Sequence, residues 1–314
     1  MAEAYAPGEG NWRRAGQELP EPGSLGAFII ATRPRTLPAS IAPVLVGWAI
    51  AWADGTFSFL PALAALCAAI CIQIGTNLAN DLYDYLRGTD TSERLGPPRA
   101  GQTGLLTPNQ LRLAMAGAFL LATLLGLYLV LRGGWLLAVA GALAIGAGIA
   151  YTAGPFPLGY LGLGDILVLI FFGPVAVIGT YYVQALRISP EAALASIPVG
   201  LLTTAILVVN DVRDIKSDAR AGKKTLPVRF GVKFGRAEYA SLILISYLWL
   251  PVMAYATSNP WLILPSLSFP RGLSLVRAFS RTEPGPELNS ILASSAQLLL
   301  LYSVILGIAF IAGR

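Results

Sequence analysis

Two stretches of this sequence place carboxylates and carboxamides at helical spacing directly after long apolar runs. The first is Gln73-Ile-Gly-Thr-Asn77-Leu-Ala-Asn80-Asp81-Leu-Tyr-Asp84, which continues to Gly88-Thr-Asp90. At 100° per residue, Gln73, Asn77, Asn80, Asp81 and Asp84 project within about a 100° arc. The second is Asn210-Asp211-Val-Arg-Asp214-Ile-Lys-Ser-Asp218, whose Asn210, Asp211, Asp214 and Asp218 also share a face. Carboxylates beside hydrocarbon are expensive unless paired or metal-bound, so acids in such places are functional candidates. The chain has no histidine, which removes imidazole ligands and bases and leaves hard oxygen donors. Such donors suit Mg²⁺, which takes a few carboxylates and fills its shell with water and phosphate oxygens. Arg94 and Arg99 follow the first stretch, and Arg220, Lys223 and Lys224 follow the second. Cations beside metal-bridging acids suit a diphosphate, with arginine able to grip it bidentately. A single acid at a helix end, notably Asp90 or Asp218, could equally be solvated interfacial charge. Two matching Asn-Asp-x-x-Asp faces argue against that for the set.

The elements that carry these residues read as membrane spans. Hydrophobic residues make up 55% of the chain and charged ones 12%, against roughly 45–50% and 25% in soluble domains. With a mean hydropathy of +0.65 and repeated apolar runs of about 20 residues, the composition defines an all-α, polytopic membrane protein and excludes water-soluble classes. Nine spans are predicted, near residues 38–53, 57–83, 112–131, 134–152, 163–186, 193–212, 237–257, 259–279 and 289–312. The eighth is interrupted by Pro265, Pro270 and Arg271, which predicts a kink or a partly interfacial segment. Residues 1–23 read as a polar, disordered tail ahead of a single membrane domain over 24–314. Residues 24–38, with Phe28, Ile29 and Ile30 beside Arg33 and Arg35, read as a short amphipathic surface segment. Cys67 and Cys71, one turn apart in an apolar run, read as packing residues. With a cytoplasmic N-terminus, the even loops collect nearly all the basic residues, including Arg271, Arg277 and Arg281 in the last. Only Arg132, Arg187 and Arg314 fall on the other side. That asymmetry places both aspartate stretches on the cytoplasmic side. Nothing in the pattern points to nucleic acid; the surrounding partner is membrane lipid.

The paired acidic stretches on the second and sixth of nine spans resemble those of the UbiA superfamily of membrane prenyltransferases. Further stretches carry the likeness: Arg33-Pro-Arg-Thr-Leu-Pro-Ala-Ser40, Arg94-Leu-Gly-Pro-Pro-Arg99, Gly159-Tyr-Leu-Gly-Leu-Gly-Asp165 with Phe171-Phe-Gly173, and Gly222-Lys-Lys-Thr-Leu226. It runs in order from about residue 28 to 231, and within the superfamily it is greatest to the naphthoate branch. The common superfamily pattern has a third acid where this chain has Gly88. Asp90 is the nearest substitute, as in the naphthoate-type pattern.

The resemblance implies a nine-helix bundle with a central cavity opening to the cytoplasm, in a bacterial plasma membrane. It implies Mg²⁺-dependent transfer of a polyprenyl group from its diphosphate to a small aromatic acceptor, 1,4-dihydroxy-2-naphthoate in the naphthoate branch. The metal ions would be held by Asn80, Asp81, Asp84 and Asp90 on one side and Asn210, Asp211, Asp214 and Asp218 on the other. Among these, Asp81, Asp84, Asp211 and Asp214 would be the catalytic set. Arg94, Arg99, Lys223 and Lys224 would bind the diphosphate and neutralise it as it leaves. Gln73, Asn77, Tyr151, Asp165, Phe172 and Tyr182 are candidates for the acceptor and prenyl pocket, with Phe171 and Tyr181 further aromatic candidates. For the aromatics the competing role is packing or interfacial anchoring. Another aromatic acceptor (4-hydroxybenzoate or homogentisate) and a cation-coupled transporter stay open at this point. A transporter fits less well, because the acids sit at span ends rather than at mid-membrane.

Overall fold

The computed structural model describes residues 19–89 and 95–314. Among the described residues there is no strand. In chain order the helices are α1 (Leu25–Thr32), α2 (Leu37–Ala53), α3 (Phe59–Leu86), α4 (Pro108–Gly133), α5 (Trp135–Ala150), α6 (Gly164–Ala185), α7 (Pro190–Arg213), α8 (Ile215–Arg220), α9 (Leu226–Phe230), α10 (Val232–Ala256), α11 (Phe269–Arg281) and α12 (Leu288–Ala312). Seven helical stretches are long and apolar enough to cross a membrane: α1 with α2, then α3, α4, α6, α7, α10 and α12. Helix α5 is apolar but shorter, at 16 residues. The chain is an integral membrane protein.

Local chemistry explains the ends. Thr107 and Gln110 form a reciprocal capping box at the start of α4, with Pro108 in the first turn, where its missing N–H costs nothing. Ser189 accepts from the Ala192 N–H at the start of α7, again followed by proline. The junction from α4 to α5 turns on Gly134 at φ 82°, a left-handed conformation that glycine adopts without strain. Within α6, Phe171–Val175 form a π-helical turn around Pro174, because proline has no N–H for the regular ladder. The adjoining Gly173 lets α6 lie directly on α7. A Cβ there would stand 2.8 Å from the Ser196 carbonyl oxygen.

The core lies where α2, α7, α10 and α12 meet, around Val46, Val199, Val209, Ile243, Leu299 and Leu306. Two buried tyrosine hydroxyls in it are paired, as a low-dielectric interior favours. Tyr302 donates to the Ser246 carbonyl at 3.0 Å, and Tyr239 meets the Ser295 hydroxyl at 2.8 Å.

The proline-rich eighth segment is divided: residues Pro260–Ser268 form a 3₁₀ helix and α11 follows. Helix α11 runs antiparallel to α10, with Gly272 against Tyr247, the Phe279 ring tilted against that of Tyr239 at 4.7 Å between centroids, and Arg236 donating to the Thr282 carbonyl. Arg271, Arg277 and Arg281, expected in the loop that follows, therefore lie on the helix itself. Gly272, Leu275 and Phe279 form a buried stripe that holds it against its neighbours. Residues 19–23, the last of the expected tail, make contacts with the segment before α4. Leu19 packs against the cluster containing Leu105 and Leu106, and the Gly23 N–H donates to the Leu105 carbonyl at 2.8 Å. Residues 1–18 lie outside the described residues. Cys67 and Cys71 are half-buried free thiols.

Candidate active site

A cavity of about 210 Å³ opens at the end of the bundle where α3 and α7 finish. From the first aspartate stretch it is lined by Gln73, Asn80 and Asp84, and from the second by Asn210, Asp211, Asp214 and Asp218. The two stretches, 130 residues apart in sequence, thus face one space. Arg99 and Lys223 line it too, with Arg33, Tyr151, Thr152, Tyr160, Phe172 and Thr225.

Asp84 is the most heavily engaged acid. It is buried; Tyr160 donates its hydroxyl to one oxygen at 2.8 Å, while the other faces Arg99 at 3.0 Å and Lys223 at 3.6 Å. The same Lys223 ammonium is 3.5 Å from Asp218, so one cation spans the two acidic stretches. It also sits 5.0 Å over the Tyr160 ring, a favourable cation–π placement. Burial, then the Asp84 charge, pushes the Tyr160 phenol well above its usual range, so it stays a donor. Burial pushes the Asp218 carboxyl up to about 6, against the opposing pull of Lys223. Asp214 pairs with Arg213, whose guanidinium donates to both its oxygens at 2.9 and 2.5 Å. Arg213 also donates to Asn210 at 2.7 Å and Asn289 at 2.8 Å, and Asn289 holds the Leu95 carbonyl at 3.0 Å. In the other stretch, Thr152 donates to the Asn80 amide oxygen at 2.9 Å.

Several expected residues stand elsewhere. Asp81 is buried but does not line the cavity. Its two oxygens accept the Ala100 and Gly101 N–H groups at 2.9 and 3.1 Å. Asn77 also stays outside the lining, donating to the Thr32 carbonyl at 2.9 Å and the Thr36 hydroxyl at 3.1 Å. The 100° arc contains two flanks. Relative to Gln73, Asn80 and Asp84 lie within about 20°, whereas Asn77 and Asp81 lie at about 40° and 80°. Packing divides the arc between cavity and loop. Lys224 is exposed outside the cavity lining, its backbone N–H donating to the Tyr160 carbonyl. Asp165 is buried in the first turn of α6, also outside the lining. Tyr181 and Tyr182 belong to the opposite end of the bundle. Tyr182 donates to the Gly133 carbonyl at 3.0 Å, and Tyr181 to Asp54 at 2.5 Å, beside an Arg187–Asp54 ion pair. Asp90 and Arg94 lie outside the described residues. Tyr160, Thr152, Arg213 and Arg33 are cavity or positioning groups that the spacing alone did not single out. Tyr160 sits inside the Gly159–Asp165 stretch and Arg213 inside the second aspartate stretch, which were the available signals.

The donor set is all oxygen on the acidic side, and it fits a hard divalent cation. Among the described residues no three acids converge to enclose an ion by themselves. Mg²⁺ does not require that, since it keeps water and takes phosphate oxygens beside one or two carboxylates.

The protein is thus an integral membrane bundle with an acid- and cation-lined cavity at one end that continues into apolar walls at Val168, Phe172, Ile206 and Leu207. Residues 40–288 match the UbiA prenyltransferase family, and the chain belongs to it. It is 38% identical over 283 residues to the 1,4-dihydroxy-2-naphthoate octaprenyltransferase of Mycobacterium tuberculosis, covering 90% of this chain and 95% of that one. It is 43% identical over 224 residues to the enzyme of the same name from Escherichia coli, covering 69% and 73%. Its fold matches a UbiA homologue from Archaeoglobus fulgidus bound to GPP and Mg²⁺, with a TM-score of 0.64 at 16% identity over 91% of this chain and 99% of that one. The protein is a membrane-bound prenyltransferase.

Proposed function

We propose that this enzyme transfers a polyprenyl group from its diphosphate to 1,4-dihydroxy-2-naphthoate, with loss of the acceptor's carboxylate as CO₂ and with Mg²⁺ as cofactor. The observation that carries this is Lys223 standing between Asp84 and Asp218, at 3.6 and 3.5 Å, with Arg99 at 3.0 Å from Asp84. A cavity in which cations and carboxylates from two helices alternate suits a metal–diphosphate unit better than either charge alone. Asp84 on one side and Asp211, Asp214 and Asp218 on the other would hold the ions, with Asn80 and Asn210 beside them. Bound there, Mg²⁺ supplies charge neutralisation for the departing diphosphate.

Arg99 and Lys223 hold the diphosphate by donating to its oxygens, which eases breakage of the allylic C–O bond. Tyr160 keeps its proton and orients Asp84. Tyr151 and Phe172 offer π-faces to the allylic cation, and the apolar wall excludes water that would trap it. A ring carbon of the acceptor then forms the new C–C bond. Asp81 acts as an anchor of the loop that delivers Arg99. Residues 24–314 work as one membrane domain of nine spans in a bacterial plasma membrane, counting α5 and the divided Pro260–Arg281 segment, with the cavity open to the cytoplasm.

The test is a donor and acceptor panel with purified protein, read by mass spectrometry. The expected product is prenylated naphthoquinol lacking the carboxylate, formed with Mg²⁺ and abolished by chelation. Turnover insensitive to chelation would remove the metal–diphosphate assignment. Preference for 4-hydroxybenzoate or homogentisate would reassign the acceptor.

A further inference from the structure

Helix α11 differs from the outward faces beside it. Its inner side packs through Gly272, Leu275 and Phe279. Its exposed side carries Pro270, Arg271, Ser274, Arg277, Ser280 and Arg281, with no acid among them. The outward faces of its two neighbours are hydrocarbon-like: Leu244, Ile245 and Leu248 on α10, and Leu301, Val304 and Ile308 on α12.

The packing fixes the depth of this stripe. Gly272 meets α10 at Ile243 and Tyr247, so Arg271 stands level with the exposed Leu244 and Leu248. Arg271 donates to the side chain of Gln297 on α12. Gln297 is nine residues beyond Leu288, roughly 14 Å along that helix from the aspartate end. Arg277 and Arg281 follow toward that end, where their side chains have no protein partner among the described residues. A guanidinium on a surface that meets acyl chains is costly unless an opposite charge accompanies it.

We propose that the Arg271–Arg277–Arg281 stripe binds the phosphate of an acidic phospholipid in the leaflet on the aspartate side. Guanidinium forks pair bidentately with phosphate oxygens, and Ser274 adds a hydroxyl donor on the exposed side. Arg271 reaches up from below the headgroup along its aliphatic stem, and the lipid's acyl chains lie on the leucines of α10 and α12. The nearest acids do not neutralise the stripe. Glu283 pairs with Arg236 at 3.5 Å, and Glu287 lies past the end of α11. A second copy of the chain docking through this face would set cation against cation, which favours lipid as the occupant.

The full chain in neutral detergent, offered equimolar phosphatidylglycerol and phosphatidylcholine, is examined by native mass spectrometry. Wild type is expected to retain one phosphatidylglycerol in preference. The single variant R277Q lowers that preference about fivefold, and R271Q/R277Q/R281Q removes it. Lys233→Gln, an exposed cation at the start of α10 outside the stripe, leaves it unchanged. Equal retention of both lipids by wild type overturns the proposal, as does an unchanged preference in R277Q or the triple variant. An equal fall in Lys233→Gln would reduce it to unspecific charge. A dimer that R277Q dissociates would assign the face to a second copy instead.

Discussion

The two aspartate stretches share a sequence pattern but not a geometry. Asn80, Asp81 and Asp84 correspond in order to Asn210, Asp211 and Asp214. On α3 the helix continues to Leu86, and the first acid, Asp81, turns from the cavity to hold the Ala100 and Gly101 N–H groups. On α7 the helix stops at Arg213, and Asp211, Asp214 and Asp218 all line the cavity. The partners differ as well. Asp84 is held from outside its helix by Arg99, Lys223 and Tyr160, whereas Asp214 is held by its own neighbour, Arg213. One stretch is organised by contacts across the fold, the other by a local clamp. A repeated motif can therefore divide its labour, with one copy tying down a loop and the other presenting a fuller acidic face.

The comparison is broken most directly at Asp84 and Asp211, the acids given to the cavity. Asp84→Asn and Asp211→Asn are each expected to lower kcat by about 10³-fold, and Asp84→Asn, which removes the carboxylate facing Arg99 and Lys223, also to melt lower in detergent. Near-normal turnover of Asp211→Asn would mean that the second stretch does not hold the reacting diphosphate. Lys223 tests the link between the stretches. Lys223→Met should cost about 10²-fold in kcat/KM, and a loss confined to stability would make Lys223 a strut between two acids.

Asp81→Ala sharpens the contrast with Asp211. Two buried N–H groups lose their acceptor, which costs about 2–4 kcal/mol of stability at about 1–2 kcal/mol each. A lowered melting temperature is expected, with the activity that remains still dependent on Mg²⁺. An inactive variant that melts like wild type would place Asp81 among the metal ligands after all.

Much of this was legible in the sequence. Composition and apolar runs define the helical membrane bundle, because hydrocarbon admits few other structures. The paired acids stood out because carboxylates at the ends of apolar helices need a reason. The arc on α3 was legible only as an arc. Which of its flanks meets the cavity depends on the segment 95–106 packing against Asp81, a contact that helical periodicity does not encode. Chemistry alone places Tyr182 in the pocket. Its separation from Asp165 by 17 residues, roughly 26 Å along α6, was enough to put it at the other end. Arg213 occupies a spacer position of the motif, where a basic charge reads as topology. The arginines of α11 also read as topology, although their spacing relative to Gly272, Leu275 and Phe279 is that of an amphipathic helix.

The finest test concerns the two asparagines. Each has its amide oxygen engaged by a donor, Thr152 at 2.9 Å for Asn80 and Arg213 at 2.7 Å for Asn210. These donors are not equal, since a guanidinium binds more firmly than a hydroxyl. Thr152→Val keeps the shape and removes only the hydroxyl, at a net cost of about 1 kcal/mol. If that bond aims Asn80 at the metal–diphosphate unit, the variant needs several-fold more Mg²⁺ for half-maximal rate, while kcat at saturating metal is unchanged. An unaltered Mg²⁺ requirement would remove Asn80 from the metal site and leave Asp84 as the sole contact of α3 with the ions. The asymmetry between the two stretches would then be larger than their shared motif suggests.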